Sequence, residues 1–533
     1  MTAIPTDFHL VRVFHEIAQR FPQAPAIRWG NGLIDYQTLE ARAVAVAQRI
    51  ERSIGSGRRV AVVADKSQGT YVGLLGALYS GNTYVPLSKV YPDARNAQIL
   101  DLARVDAIVY EASRSNWVRT LVAASERKPL HIELDQVMPS DAASAAEAAD
   151  RLANQALAQV PAYILFTSGS TGTPKGVPIT HANVLHYLDA VSERFKFQQT
   201  DVFTHNFELT FDLSVFDMFV PWRHGAHFCV PDLADIASPQ RYLSRHGITV
   251  WFSVPSTIAV LRRNGTLKAS IFPSLRLSFF CGEALTWEAA DAWAEAAPQA
   301  RLHNLYGPTE LTISCFAYEV PARYSDIRRR DAQSATVPIG WIHEGHRYLL
   351  LNGRGERAHR GEDGELCVAG SQRFSGYFDA PAKSLESHVV WAHDDGALAL
   401  YYRTGDLARE AGRAGLQYIG RIDHQVKING FRIELEEVER AIRRLDERYH
   451  PVVRSMAAGA GDAALRTLVA FISWSGDEPD ERRPAEWIKH RLKATLPYYM
   501  VPEQIVWIDG DFPVNANGKI DVKALSSHHE NSV

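Results

Sequence analysis

Six short runs in this chain are apolar almost throughout, and they constrain the fold more than any other feature. They read RRVAVVAD (58–65), DAIVYEA (106–112), AYILFTS (162–168), AHFCVP (226–231), ITVWFSVP (248–255) and LRLSFFCGE (275–283). A strand with one wet face alternates apolar and polar residues. A strand apolar on both faces must be covered on both, as in a parallel sheet flanked by helices. Segments rich in helix formers lie between the runs, among them LEARAVAVAQRIER (39–52) and WEAADAWAEAA (287–297). The alternation predicts a layered α/β fold. At 533 residues the chain is too long for one core, so at least two domains are expected.

The character of the sequence changes near 418–425, YIGRIDHQ. A short strand pattern (VKINGFRI), a charged amphipathic helix (LEEVERAIRRL, 435–445) and another strand pattern (RTLVAFISW) follow. We read residues 1–420 as a large domain of layered α/β sheets and 421–533 as a smaller α+β domain of a size that folds alone. The alanine-rich stretch 138–160 reads as a surface helix or connector with no function of its own.

With 57 basic against 61 acidic residues, net charge −4, nothing in the charge balance points to nucleic acid or an anionic membrane as partner. No uninterrupted apolar stretch approaches the length that spans a bilayer. The four cysteines, Cys229, Cys281, Cys315 and Cys367, show neither metal-ligand nor redox spacing, which suits a reducing compartment and a cytoplasmic enzyme.

Strand 162–168 runs into LFTSGSTGTPKG (165–176). Glycines, hydroxyls and a closing lysine are what a phosphate-cradling loop needs. A Walker loop requires Ser or Thr after the lysine; here Pro174 precedes Lys175 and Gly176 follows it. Alone, the loop is a turn rich in glycine. It gains meaning beside FDLSVFD (211–217), NLYGPTE (304–310), YRTGDL (402–407), GRIDHQVKINGFRIE (420–434) and NANGKID (515–521). Together and in this order these motifs resemble the adenylate-forming superfamily, and within it the amino-acid adenylation enzymes of nonribosomal peptide synthesis.

The resemblance implies that a carboxylate attacks the α-phosphate of ATP to give an acyl-AMP and pyrophosphate, and that the acyl group then passes to a thiol. Such catalysis is mostly positioning and charge stabilisation, with magnesium drawing charge from the phosphates. By resemblance, Thr167, Ser168, Gly169, Ser170, Thr171, Gly172 and Lys175 cover the β- and γ-phosphates. Asn304 and Tyr306 contact adenine, with Gly282 lining the opposite wall; Thr309 meets the α-phosphate and Glu310 the magnesium. Asp406 accepts the ribose hydroxyls with Arg421 supporting it, and Asp423 is the hinge. Lys519 reaches from the small domain to the substrate carboxylate and α-phosphate, a flexible point charge that can follow the reaction. Gly430 lets a pantetheine arm approach closely.

Asp212 is expected to pair with the α-ammonium of an amino acid, since a buried cation needs a partner. Its other reading is a helix cap before LSVFDMF. The rest of the pocket is expected from Leu213, Phe216, Phe252, Phe279, Cys281, Leu305, Ile313 and Ser314, which offer no partner for a charged side chain. The pattern resembles stand-alone prolyl-carrier-protein ligases, so proline is the first expectation and alanine or another small neutral amino acid the second. Ser88-Lys89 and the segment THNFEL (204–209), with His205 and Phe207, depart from the family pattern near the acceptor side. Only VKALSSHHENSV follows NANGKID, with no carrier motif, so the expected acceptor is a separate phosphopantetheinylated carrier protein. An acyl-CoA ligase is the alternative, and a luciferase-type oxidoreductase a more distant one.

Overall fold

All six apolar runs become strands of two sheets that pack on a shared core. The structure, a computed structural model, describes residues 9–30, 32–136, 142–153, 157–169, 172–321, 334–392, 396–423, 425–457, 465–475, 483–514, 520–521 and 524–525. In a six-stranded sheet, Leu130–Glu133, Ala107–Tyr110, Arg59–Val63, Thr83–Leu87 and Pro161–Thr167 run parallel in that order, and Lys175–Thr180 closes the edge antiparallel. A nine-stranded sheet is parallel from Arg301–Tyr306 through Leu277–Phe280, Val250–Ser253, Val202–Thr204 and His227–Val230 to Pro25–Trp29, with antiparallel strands at both edges. This is the α/β architecture that the run pattern predicts.

The helices between the sheets follow the same logic. The helix Gln68–Tyr79 is buried along nearly its whole length, and residues from both sheets join it in one hydrophobic cluster. Helix Tyr36–Ile54 begins where the Asp35 side chain accepts from Thr38 N, and Trp287–Ala296 where Thr286 accepts from Ala289 N. The alanine-rich stretch departs from its expected surface position. Its described helix, Ala142–Ala153, lays Ala145, Ala148 and Leu152 into the main core against Tyr36–Ile54. Alanine suits that place because a small side chain lets two helices approach.

A five-stranded antiparallel sheet carries the long strand Leu398–Glu410 and its partner Leu416–Arg421. Beyond it, the hairpin Gln425–Ile428/Phe431–Glu434 turns on Asn429 and Gly430, both with positive φ. Asn-Gly is the sequence best suited to such a two-residue turn. Helices Leu435–Arg443 and Ala485–Lys493 pack on the sheet formed by Tyr449–Ala457, Arg466–Trp474 and Gln504–Ile508. This C-terminal part has its own hydrophobic cluster, built on Ile433, Val438, Ile442, Val453, Ala470, Ile488 and Leu492. All four cysteines are buried and unpaired. No described helix is long and apolar enough to cross a membrane.

Candidate active site

All of the motifs except NANGKID (515–521), whose residues 515–519 lie outside the described residues, meet where the parallel strands end. Strands Val250–Ser253, Leu277–Phe280 and Arg301–Tyr306 of one sheet and Pro161–Thr167 of the other all point their carboxyl ends into one cleft, the usual ligand position in a sheet of this kind. The hairpin 425–434 faces the cleft from the opposite side.

A cavity of about 300 Å³ is lined by Gly282, Asn304, Leu305, Tyr306, Val337, Tyr418 and Lys427, among others. The Asn304 amide is oriented by donating to the main-chain oxygens of Val337 (3.3 Å) and Pro338 (2.9 Å). That leaves Oδ1 buried without a partner among the described residues, an acceptor suited to an exocyclic amine. The Tyr306 ring forms a wall, with Lys427 Nζ 5.8 Å above it, and the Tyr306 hydroxyl donates to Asp406. Arg421 Nη1 donates to the other Asp406 oxygen at 2.6 Å, while its Nε and Nη2 donate to the two oxygens of Asp423, each at 2.6 Å. Asp406, Arg421 and Asp423 therefore form one chain of charge between the nucleotide cavity and the start of the hairpin.

A smaller cavity, about 70 Å³, adjoins the first at Cys281, Gly282, Gly307 and Lys427. Thr167, Ser168, Asp212, Leu213, Thr309, Asp406, Gly430 and Arg432 also line it. The Thr167 hydroxyl is buried without a partner among the described residues. Ser168 Oγ donates to Arg432 O (2.9 Å), and Lys175 Nζ lies 3.7 Å from Glu434. Burial lowers the Lys175 ammonium to about 8, against the pull of Glu434. Gly169 and Gly172 belong to the same loop, whereas Ser170 and Thr171 lie outside the described residues, as does Lys519.

Asp212 stands at the start of helix Leu213–His224 but makes no capping bond to it, so the capping role does not explain it. Burial pushes its carboxyl up to about 6, partly offset by a hydrogen bond from Thr309. No basic group lies within ion-pair distance of it among the described residues. Phe216, Phe252 and Phe279, expected to line the substrate pocket, lie together with ring centroids 4.7 to 6.1 Å apart. They are fully buried and pack edge-on against one another rather than lining either cavity; Phe195, Phe197, Phe203 and Phe207 pack around them. Ile313 and Ser314 are likewise buried outside the two cavities, and Leu305 faces the nucleotide side.

Glu310 is the clearest surprise. Arg432 Nη1, from the hairpin, reaches both of its oxygens at 2.9 and 3.0 Å, and the Tyr377 hydroxyl donates at 2.8 Å. Burial alone would raise this carboxyl; Arg432 holds it low. No group of three or more His, Cys, Asp or Glu able to hold a metal occurs among the described residues. Magnesium nevertheless fits as an ion that arrives with the triphosphate and takes one protein carboxylate, as that ion commonly does. In this arrangement both Glu310 oxygens are taken by Arg432.

Arg432, Lys427, Tyr377 and Glu283 were not singled out in sequence. Glu283 accepts from the main-chain N–H groups of Gly430 (3.0 Å) and Ser256 (2.9 Å), fastening the hairpin tip. Deeper in the same contact, Arg95 and Glu437 form a buried ion pair at 2.6 Å.

The AMP-binding enzyme family model matches residues 14–378. An L-proline–[L-prolyl-carrier protein] ligase of Pseudomonas fluorescens is 31% identical over 532 residues, covering 97% of this chain and 99% of the relative. Tyrocidine synthase 3 of Brevibacillus parabrevis is 32% identical over 521 residues, 97% of this chain but only 8% of that much longer protein. The chain spans less than half the length of most of the curated relatives it matches. Among solved structures, the Vibrio cholerae adenylation domain AlmE, in complex with glycyl-adenosine-5′-phosphate, superposes with a TM-score of 0.84 at 27% identity, covering 98% of both chains. Matched from residue 14 to residue 378 of its 533, a span that includes both cavity walls from the large sheets, the chain belongs to the AMP-binding enzyme family.

Proposed function

We propose that this protein adenylates a small neutral amino acid, proline first, to the aminoacyl-AMP and transfers the acyl group to the phosphopantetheine thiol of a separate carrier protein. The observation that carries the reading is Asp212. A buried carboxylate with no cation in ion-pair contact among the described residues, only partly offset by Thr309, Lys427 and the Leu213 N–H, and beside the larger cavity, gains from an incoming ammonium. The packed phenylalanines behind it favour a short side chain or the compact proline ring. The likeness to the prolyl-carrier-protein ligase over nearly both full lengths supports the same choice.

In the first step the amino-acid carboxylate attacks the α-phosphate of ATP and pyrophosphate leaves. Thr167, Ser168 and Lys175 are assigned to the phosphates, Asn304 and Tyr306 to the base, Asp406 to the ribose and Thr309 to the α-phosphate. Magnesium, held by Glu310 and the phosphates, would draw off charge. Residues 421–533 must swing about Asp423 for this step, because Arg432 covers Glu310 in the arrangement seen here. Lys519 is assigned to the reacting oxygens after that swing.

The present arrangement suits the second step. A passage of about 230 Å³, lined by Asn206, Phe207, Glu208, Phe211, Val254 and Gly430 among others, shares Phe211, Leu213 and Gly430 with the smaller cavity. A thiol arriving there would attack the acyl carbon. A C–S bond forms, the C–O bond to AMP breaks, AMP leaves with the electron pair, and the thiol proton is lost to solvent. Glu208 is the only ionised residue among those lining the passage. Such a lining accepts the neutral amide chain of pantetheine and offers no cation for the phosphates of coenzyme A, which favours a carrier protein.

Amino-acid-dependent ATP–pyrophosphate exchange tests the reading across the standard amino acids, D-alanine and acids lacking the amine. Exchange is expected with proline or another small neutral amino acid; exchange confined to amine-free acids would overturn the substrate class. A pH profile adds a second check. Asp212 protonates below about 6 and then loses its charge for the ammonium. The kcat/KM for the amino acid is therefore expected to fall about tenfold per pH unit below that point and to level above it. A flat profile from pH 5 to 8 would remove Asp212 from amine binding.

A further inference from the structure

We propose that Lys66 is a positioning residue for the thiol-transfer step, holding the main chain of residues 205–208 so that Phe207 stands between the thiol passage and the amino-acid pocket. The inference rests on the thioester reading above. Lys66 follows the strand Arg59–Val63, far in sequence from every motif, and has a positive φ of 59°. Its main-chain oxygen accepts from Trp29 Nε1 at 2.9 Å, which fixes the point from which its side chain departs. The ammonium then lies 3.2 Å from Asn206 O, 3.4 Å from His205 O and 3.8 Å from Glu208 Oε1.

An ammonium has three donors and no acceptor. Here it faces three oxygens of one loop, and an apolar residue in its place would leave two carbonyls without that donor. Arginine is planar and longer, a poorer match for oxygens gathered around a point. Burial lowers the Lys66 pKa, and Glu208 and Asp217 offset that only in part.

The loop is fastened on its other side as well. Asp217 Oδ2 accepts from Phe207 N (3.4 Å) and lies 3.4 Å from His205 Nδ1, while Asn206 Nδ2 donates to Phe252 O at 2.7 Å. The carbonyls of His205 and Asn206, the Asn206 side chain and the Phe207 N–H therefore each have a partner. The outcome of this fastening is the place of one ring. Phe207 lines the thiol passage and packs edge-on against Phe252 of the aromatic cluster, with centroids 4.9 Å apart. A slack loop would let that ring fall across the passage. The amine anchor and the nucleotide cavity lie elsewhere and would not feel it.

The test compares wild type and Lys66→Met in three assays: pyrophosphate exchange, trapping of the adenylate by hydroxylamine, and thioester formation with pantetheine. Hydroxylamine is small enough to need no ordered passage. Exchange and hydroxamate formation are expected to stay within about twofold, while kcat/KM for pantetheine falls about tenfold, mainly through KM, the scale of one or two lost charge-assisted hydrogen bonds. Lys66→Arg is expected to recover part of the loss. An equal fall in all three assays would make Lys66 merely structural, and an unchanged KM for pantetheine would end the proposal. Should Lys66→Met not fold, Lys66→Gln keeps one donor, and the same split between the assays decides. The wild type separates the two ideas: hydroxamate without any pantetheine thioester would overturn the thiol reading itself, and the Lys66 proposal with it.

Discussion

Asp212→Asn is expected to lower kcat/KM for the amino acid by about two to three orders of magnitude, with the KM for ATP changing less than about threefold. The size follows from breaking a buried charge pair, which costs about 3–5 kcal/mol because the remaining charge stays desolvated; each 1.36 kcal/mol is a factor of ten. Asparagine nearly preserves the volume of aspartate, so the aromatic cluster behind it keeps its packing. Its amide can still accept the hydrogen bond from Thr309 that the native carboxylate accepts. What is lost is the charge alone. ATP is assigned to other groups, Asn304 and Tyr306 in the larger cavity and Asp406 in the smaller one, so its affinity is a control within the same experiment. The variant is also expected to discriminate less between the amino acid and the analogue that lacks the amine, because that analogue brings no charge to strand. Unchanged kcat/KM for the amino acid would mean that the ammonium is bound elsewhere and that the cleft takes a different acid.

The layered core was legible because burial on both faces leaves its mark residue by residue. All six apolar runs are strands, and the charged helix after GFRIE packs as its pattern demands. The alanine-rich helix was misplaced because alanine belongs equally to exposed helices and to tight helix–helix contacts, and composition does not separate the two. At the site, Asn304 and Asp406 belong to strands that the motifs mark and Asp212 to the turn before a helix, and the structure brings all three to the lining of the two cavities. Arg432 was not legible in this way. In GFRIE it reads as the solvent-facing residue of a short strand, and only the approach of the hairpin to Glu310 gives it a buried carboxylate as partner. Lys66 left no local signal either, since its three acceptors lie about 140 residues away. Contacts made between distant elements, and above all those that exist in one arrangement of the hairpin against the large sheets, are set by packing rather than by neighbours in the chain.

Gly430→Asn is expected to separate the two half-reactions, cutting thioester formation by at least about 30-fold while pyrophosphate exchange changes less than about threefold. A Cβ on Gly430 would lie 2.4 Å from Val254 Cγ1, closer than two carbon atoms can stand. The hairpin tip would have to back away from the large domain, losing the bond from Gly430 N to Glu283 and loosening the grip of Arg432 on Glu310. Two interactions of that kind are worth about 2–4 kcal/mol together, one of them charged on both sides, which sets the scale of the loss. Asparagine is chosen because the φ of +79° at this position disfavours most side chains wherever the hairpin stands, whereas asparagine tolerates that region well. The turn itself therefore survives and the collision is what remains. Val254→Ala removes the colliding methyl group, so the double variant is expected to regain most of the lost transfer; a coupling of this sign between two contacting residues is what a steric cause requires. Equal loss in both half-reactions would place Gly430 in the folding of the small domain. No loss in either would mean that the arrangement in which Arg432 covers Glu310 is not the one that delivers the acyl group to the thiol, and the swing about Asp423 would then need a different end point.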